Sequence, residues 1–157
     1  MIGLIRARWR VLVLGGLVVG TLDLLDAVVF FGIRNGVRPT RILQSIAAGL
    51  LGRASFEGGV RTALLGALLH YFIAFAIVVT FAAASRLIPA LARRPLVTGP
   101  IYGVGVWLFM NFVVLPLSAA GRGPFVPASV ANGLFIHVVG VGIPAALAAR
   151  AALRVHP

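Results

Sequence analysis

Four long apolar runs constrain the fold of this sequence more than any other feature. They cover residues 11–33, 62–84, 96–118 and 129–149. At the rise of an α-helix, a run of this length crosses a hydrocarbon layer of about 30 Å. The sequence therefore predicts an all-α integral membrane protein, a four-helix bundle that forms a single membrane domain over residues 1–157.

The charge distribution agrees with a membrane protein rather than with a nucleic-acid-binding protein. The net charge is +11, although only 11% of the residues are charged and 61% are hydrophobic. The basic residues flank the apolar runs, as is typical of membrane proteins. They are Arg6, Arg8, Arg10, Arg34, Arg38, Arg41, Arg53, Arg61, Arg86, Arg93, Arg94, Arg122, Arg150 and Arg154. We expect the lipid bilayer as a partner and no nucleic acid.

The arginines also give an orientation. Eight lie at the two termini and in the connection between the second and third runs, and six lie in the other two connections. The positive-inside rule then favours cytoplasmic termini. The basic start followed by an apolar run resembles a signal peptide, but the run continues to about residue 33 without an A-x-A cleavage site, so we interpret it as an uncleaved first span.

The connection between the first two runs predicts a short amphipathic helix over residues 41–54. Its apolar residues recur at helical spacing, and Thr40 is placed to cap the start. The helix is too short to cross a bilayer, so it should lie at the interface or against the bundle. Small residues form one narrow face suited to helix packing: Ser45, Ala48, Gly49 and Gly52.

A family resemblance rests on two segments and two histidines. The segments RILQSIAAGLLGRASFEGG and LFMNFVVLPLSA, together with the placement of His70 and His137, resemble a family of uncharacterised small bacterial inner-membrane proteins. The resemblance covers most of the chain. It implies a four-span topology and a bacterial plasma membrane, and it implies no activity or residue role.

Five strongly polar residues lie well inside the spans: Asp23, Asp26, His70, Asn111 and His137. An ionisable group at that depth costs at least about 2.5 to 3.5 kcal/mol on insertion scales, so it needs a partner. Counted along the helices, all five lie about 18 to 22 Å from the side of the termini. The sequence therefore predicts one buried polar layer.

Glycines accompany this layer in three of the four spans. Gly16 and Gly20 share a helix stripe with Asp23, where they suit close helix packing. Gly66 and Gly133 each precede a histidine by one turn and leave space beside it for a ligand or a neighbouring helix.

Two prolines should break the hydrogen-bond ladder near the polar layer. At α-helical spacing, Pro116 frees the carbonyl of Phe112 and Pro144 frees that of Gly140. Broken ladders beside polar side chains can line a cavity, and a simple kink is the alternative.

Three functions fit the polar layer. In the first, the layer binds or relays a proton or cation in a transporter-like or channel-like protein, because imidazole and carboxylate groups in contact exchange protons near neutral pH. In the second, His70 and His137 bind haem or a divalent metal. In the third, the layer only fixes helix register in a non-catalytic assembly or accessory subunit.

Partners and enzymatic activity can also be judged from the sequence. Four helices are few to enclose a pathway, so we expect a homo-oligomer or a membrane partner subunit.

The chain has no Cys, no G-x-S-x-G and no H-E-x-x-H motif, so an intramembrane enzyme is the least favoured interpretation.

Overall fold

The computed structural model describes residues 2–121 and 123–153, with side chains from residue 9 onwards. Arg122 and Arg154 lie outside the described residues, as do the side chains of Arg6 and Arg8. Throughout the described part the regular structure is helical, and no strand is present there.

The described residues form six helices. They are α1 (Ile2–Asn35), α2 (Pro39–Leu51), α3 (Gly59–Leu87), α4 (Ala90–Arg93), α5 (Pro95–Leu117) and α6 (Pro127–Leu153). Trp9–Asn35 of α1, together with α3, α5 and α6, is long and apolar enough to cross a membrane. The predicted all-α, four-span architecture is confirmed. Three of the spans, α1, α3 and α6, extend past the predicted runs into flanking residues, whereas α5 begins and ends within one residue of its predicted run.

The helices are not arranged as a symmetric bundle. α1 packs against both α3 and α6, and α3 also contacts α6. α5 packs against α6, and α2 lies along α3. α1 therefore has two neighbouring spans, whereas α3 and α5 face each other across a groove.

Most buried side chains are small, and most large apolar side chains face outwards. Val19, Val78 and Ala145 are at most 1% exposed, whereas Phe72 is 69% and Leu68 is 71% exposed. This distribution suits a bilayer, where lipid chains solvate large apolar groups and close packing of small residues holds the helices together. The bilayer is therefore the medium that the outer surface fits.

The short helix α2 begins and ends differently from the prediction. Pro39 occupies its first position and Arg38 precedes it, with no side-chain cap, so the predicted capping role of Thr40 is wrong. Proline suits this position because its missing N–H would have no helical partner. The helix ends before Gly52, whose φ of 58° interrupts it, and a 3₁₀ turn follows over Gly52–Phe56.

α2 contacts α3 at the level of the backbone. A methyl group on Gly66 would overlap the carbonyl oxygen of Leu43, so only glycine permits this approach. Gln44 adds a polar link, since its Nε2 donates to the carbonyl of Gly59 at 3.0 Å. The helix thus packs along the start of α3.

The small-residue face of α2 meets the end of α5. The N–H of Ala119 donates to the carbonyl of Gly49 at 2.9 Å. A methyl group on Gly49 would lie 4.0 Å from Cβ of Ser118, and one on Gly52 would lie 3.5 Å from the carbonyl oxygen of Ala119. These contacts place the end of α2 beside the connection that leaves α5.

Glycines also bring α5 and α6 into backbone contact. A methyl group on Gly103 would overlap the carbonyl oxygen of His137, and one on Gly142 would overlap that of Gly99. No sequence pattern marked these three glycines as contact residues. Their contact fixes the position of α5 on α6.

Both α5 and α6 contain a π-helical turn. The turn in α5 covers Met110–Val114 and precedes Pro116, and the turn in α6 covers His137–Gly142 and precedes Pro144. Short π-helical segments within α-helices often occur at functional sites. Each of these contains one of the predicted polar residues.

The π turns change the hydrogen-bond register just before each proline. In both helices the N–H of the residue before the proline donates to the carbonyl five residues back. The next carbonyl, that of Asn111 or Val139, then faces a proline nitrogen without a hydrogen. The free carbonyls of Phe112 and Gly140, which were predicted from α-helical spacing, stay a prediction.

We expect Gly103→Ala to lower the free energy of unfolding by about 1–3 kcal/mol, the usual cost of overpacking. Gly105→Ala is the matched control, because an added Cβ there meets no atom within 4 Å. The control should be neutral or slightly stabilising, since Ala favours the helix over Gly. Chemical unfolding in detergent micelles measures both, and equal stabilities would contradict the backbone contact.

Candidate functional site

A central cavity of about 530 Å³ lies between the four spans and α2. Four of the five predicted polar residues line it: Asp23, His70, Asn111 and His137. The remaining lining side chains are mostly apolar, which is the usual composition of a ligand cavity. Each of the four residues comes from a different span, so the packing of the spans brings them together.

His70 of α3 is oriented by the backbone of α1. Its Nε2 lies 2.7 Å from the carbonyl oxygen of Gly20. A carbonyl oxygen only accepts hydrogen bonds, so Nε2 carries the proton. The neutral ring then has an unprotonated Nδ1, which is available for a proton or a ligand.

His137 of α6 lies between its own helix and Asp23. Its Nδ1 lies 2.9 Å from the carbonyl oxygen of Gly133, so Nδ1 is the protonated nitrogen. Oδ1 of Asp23 lies 3.9 Å from the same Nδ1, within ion-pair range but beyond hydrogen-bond range. The carboxylate and the imidazole are therefore close enough for the charge of one to stabilise the charge of the other.

Asn111 lies in the π turn of α5. Its Nδ2 donates to the carbonyl of Trp107 at 3.0 Å, which orients the carboxamide. The hydrogen bond uses the amide nitrogen, so Oδ1 remains as an acceptor. Asn111 thus contributes a neutral polar group to the cavity wall.

Asp26 lies apart from this group. It does not line the cavity, and its Oδ2 accepts a hydrogen bond of 2.6 Å from Nδ2 of Asn132 on α6. The sequence pattern predicted Asp26 in the shared layer and gave no sign of Asn132, which lies nearer the start of its span. The two carboxyl groups of α1 therefore have different surroundings.

The spaces predicted beside the two histidines, at Gly66 and Gly133, are filled by other parts of the protein. Gly66 is covered by the backbone of α2, as described above. A methyl group on Gly133 would lie 2.6 Å from Nε1 of Trp107, so the indole fills that space. Neither glycine leaves room for a ligand beside its histidine.

Gly16 and Gly20 lie where α1 contacts α3. A methyl group on Gly16 would lie 3.1 Å from Cα of Phe75, and one on Gly20 would lie 2.7 Å from Cδ1 of Tyr71. This close approach brings the carbonyl of Gly20 within reach of His70.

α2 adds a cation to the cavity that the sequence analysis did not assign to the site. Arg41 lines the cavity near the end of α1, and its guanidinium carbon lies 3.9 Å from the centre of the Phe56 ring. This cation–π contact holds the side chain in place. The arginine pattern alone marked Arg41 only as a flanking charge.

Metal binding was one interpretation of the layer. Within residues 2–121 and 123–153, no three His, Asp or Glu side chains are grouped closely enough to hold one metal ion. The haem or metal interpretation therefore depends on His70 and His137 as two ligands. Each directs one ring N–H to a backbone carbonyl, as ligating histidines commonly do.

Comparison of the chain with protein-family models, with curated proteins and with solved structures finds no match. Fold and site define the class by themselves. The protein is a multi-pass membrane protein whose spans surround a cavity lined by a carboxyl group, two imidazoles and a carboxamide.

The Asp26–Asn132 contact should stabilise the packing of α1 on α6. We expect a double-mutant cycle with Asp26→Ala and Asn132→Ala to give a coupling energy of about 0.6–2 kcal/mol, the range for interhelical hydrogen bonds in membranes. Unfolding in detergent micelles gives the four free energies. Strictly additive losses would contradict a direct hydrogen bond.

The two histidines should be opposite tautomers when neutral. The hydrogen bonds predict a proton on Nε2 of His70 and on Nδ1 of His137. Nitrogen-15 NMR of ring-labelled protein distinguishes the two forms, and the variants His70→Gln and His137→Gln assign the signals. The same tautomer at both sites would show that at least one of the two hydrogen bonds is absent.

Proposed function

We propose that the protein binds a proton or small cation in the central cavity and passes it on, as a transporter-like membrane protein. The observation that carries this proposal is the position of Oδ1 of Asp23, 3.9 Å from Nδ1 of His137, inside the cavity that His70 and Asn111 also line.

Three groups of this cavity can take up a proton. They are the carboxylate of Asp23, Nδ1 of His70 and Nε2 of His137, the two ring nitrogens that make no hydrogen bond among the described residues. A proton on His137 would be stabilised by the Asp23 carboxylate, which lies 3.9 Å from its Nδ1. The Asp23 carboxylate can therefore compensate one positive charge beside it.

The cavity has a polar end and an apolar end. Towards the end of α1 it is lined by Val37 and Arg41, near the basic connection. At the opposite end it is lined by Val19, Ala74 and Ile77. The polar layer therefore lies between the α2 end and an apolar wall, and passage of a proton to the other side requires a rearrangement of the helices.

We further propose that the active form is a homo-oligomer or includes a membrane partner subunit. One chain provides a cavity with a polar wall at one end only, so a second copy would supply the rest of a pathway. The proposed location is a bacterial plasma membrane with cytoplasmic termini. In that orientation Arg41 and the polar end of the cavity face the outer side.

Two substitutions on α1 test the proposal. Asp23→Asn removes the carboxylate that faces the cavity, and Asp26→Asn is the matched control because the new amide can still accept the hydrogen bond from Asn132. In vesicles with a trapped pH dye and an imposed potassium diffusion potential, wild type and Asp26→Asn should acidify the lumen. Asp23→Asn should behave like protein-free vesicles.

The outcomes separate the three functions. Acidification by Asp23→Asn at the wild-type rate would contradict the relay. Equal losses in both variants, with lower stability in both, would favour a layer that only fixes helix register. A Soret band or bound metal that disappears in the double variant His70→Ala, His137→Ala would favour the cofactor interpretation instead.

A further inference from the structure

A second cavity of about 490 Å³ forms the groove between α3 and α5. Its walls are almost entirely apolar, and among them Phe72 is 69% and Phe109 is 57% exposed on the outer surface. Since that surface faces lipid chains, the groove opens to the hydrocarbon layer and not to water.

The groove and the central cavity meet at three side chains. Ile73, Ile77 and Met110 line both of them. At the end nearer the termini, the hydroxyl of Tyr102 donates to the carbonyl of Ile77 at 2.8 Å and joins α5 to α3. Further from the termini than this hydrogen bond, only apolar side chains separate the bilayer from the polar layer. One of them is Met110, and a methionine side chain adapts its shape easily.

The charges that face the central cavity favour a cationic ligand at the level of the groove. Asp23 is its only acidic residue, and 28% of that side chain is exposed. Arg41 lies at the α2 end of the cavity, over Phe56. Among the described residues no ion pair joins Arg41 to Asp23, whose ion-pair partner is His137.

We infer that the groove is a lateral entrance through which lipophilic amines pass from the bilayer into the central cavity, where the ammonium group pairs with Asp23. The apolar body of such a molecule fits the walls of both cavities. This inference rests on the proposed function, because the same carboxylate would hold either a proton or the amine. Amine binding and proton binding should therefore compete.

A single tryptophan can report this binding. The chain has two Trp residues, and Trp107 lines the central cavity. In the Trp9→Phe protein in vesicles, a brominated alkylamine should quench Trp107 with a saturable component. A brominated fatty acid of the same chain length should give only the linear quenching that partition into the bilayer produces. Asp23→Asn should remove the saturable component.

Two aromatic substitutions on α5 test the route. Gly105→Phe fills the groove from a position where an added Cβ meets no atom within 4 Å. Leu108→Phe is the matched control, because Leu108 is 45% exposed and does not line the groove. Gly105→Phe should abolish or strongly slow the saturable quenching, and Leu108→Phe should not. If Gly105→Phe does not fold, Ala76→Phe blocks the same groove from α3.

The results distinguish this inference from the proposed function. Saturable quenching by the fatty acid as well as the amine, or unchanged quenching in the groove variants, would overturn the inference. Vesicle acidification that depends on Asp23, without saturable amine quenching, would also overturn it and leave the proton relay intact. Saturable amine quenching without acidification would support the entrance and count against the relay.

Discussion

The cost of a carboxyl group in hydrocarbon determines where α1 can lie. Each of Asp23 and Asp26 costs several kcal/mol unless the protein solvates it. α6 supplies the partner in both cases, Asn132 for Asp26 at 2.6 Å and His137 for Asp23 at 3.9 Å. α1 must therefore pack against α6, and the carbonyl of Gly20 then meets His70 on its other neighbour, α3.

Backbone contact between α5 and α6 determines how the cavity is closed on the remaining side. The carbonyl oxygen of His137 lies against Gly103, so the residue that carries the imidazole is also the residue on which α5 rests. The indole of Trp107, one turn further along α5, covers Gly133. Glycine packing, which holds helices together in lipid, thus also sets the distance between the histidine and the cavity wall contributed by α5.

The sequence predicted the spans because length and hydropathy depend only on the chain itself. It also predicted a shared depth for the polar residues, and the structure brings Asp23, His70, Asn111 and His137 to one cavity. It could not separate Asp26 from them, because which way a side chain faces depends on the neighbouring helix. In an antiparallel pair, however, residues further along one helix meet earlier residues of the other. With Asp23 opposite His137, Asn132 is a reasonable partner for Asp26.

Other features followed from contacts that no local pattern contains. Gly66 lies where α2 packs against α3. From the sequence, the space at Gly66 suited either a ligand or a neighbouring helix. Arg41 looked like a flanking charge, and only the packing of α2 brings it to the cavity. The π turns were missed because an extra residue in a helical turn leaves no mark on hydropathy. A proline close behind a polar residue was the one available signal.

The position of α5 connects the central cavity with the groove. α5 packs on α6 but faces α3 across the groove, where the Tyr102 hydrogen bond to Ile77 joins the two helices. Its π turn contains Asn111 and Met110, and Met110 borders both cavities. A displacement of α5 towards α3 would therefore narrow the groove and move the carboxamide of Asn111 within the polar layer at the same time. The width of the groove and the arrangement of the polar groups are thus coupled through the position of α5.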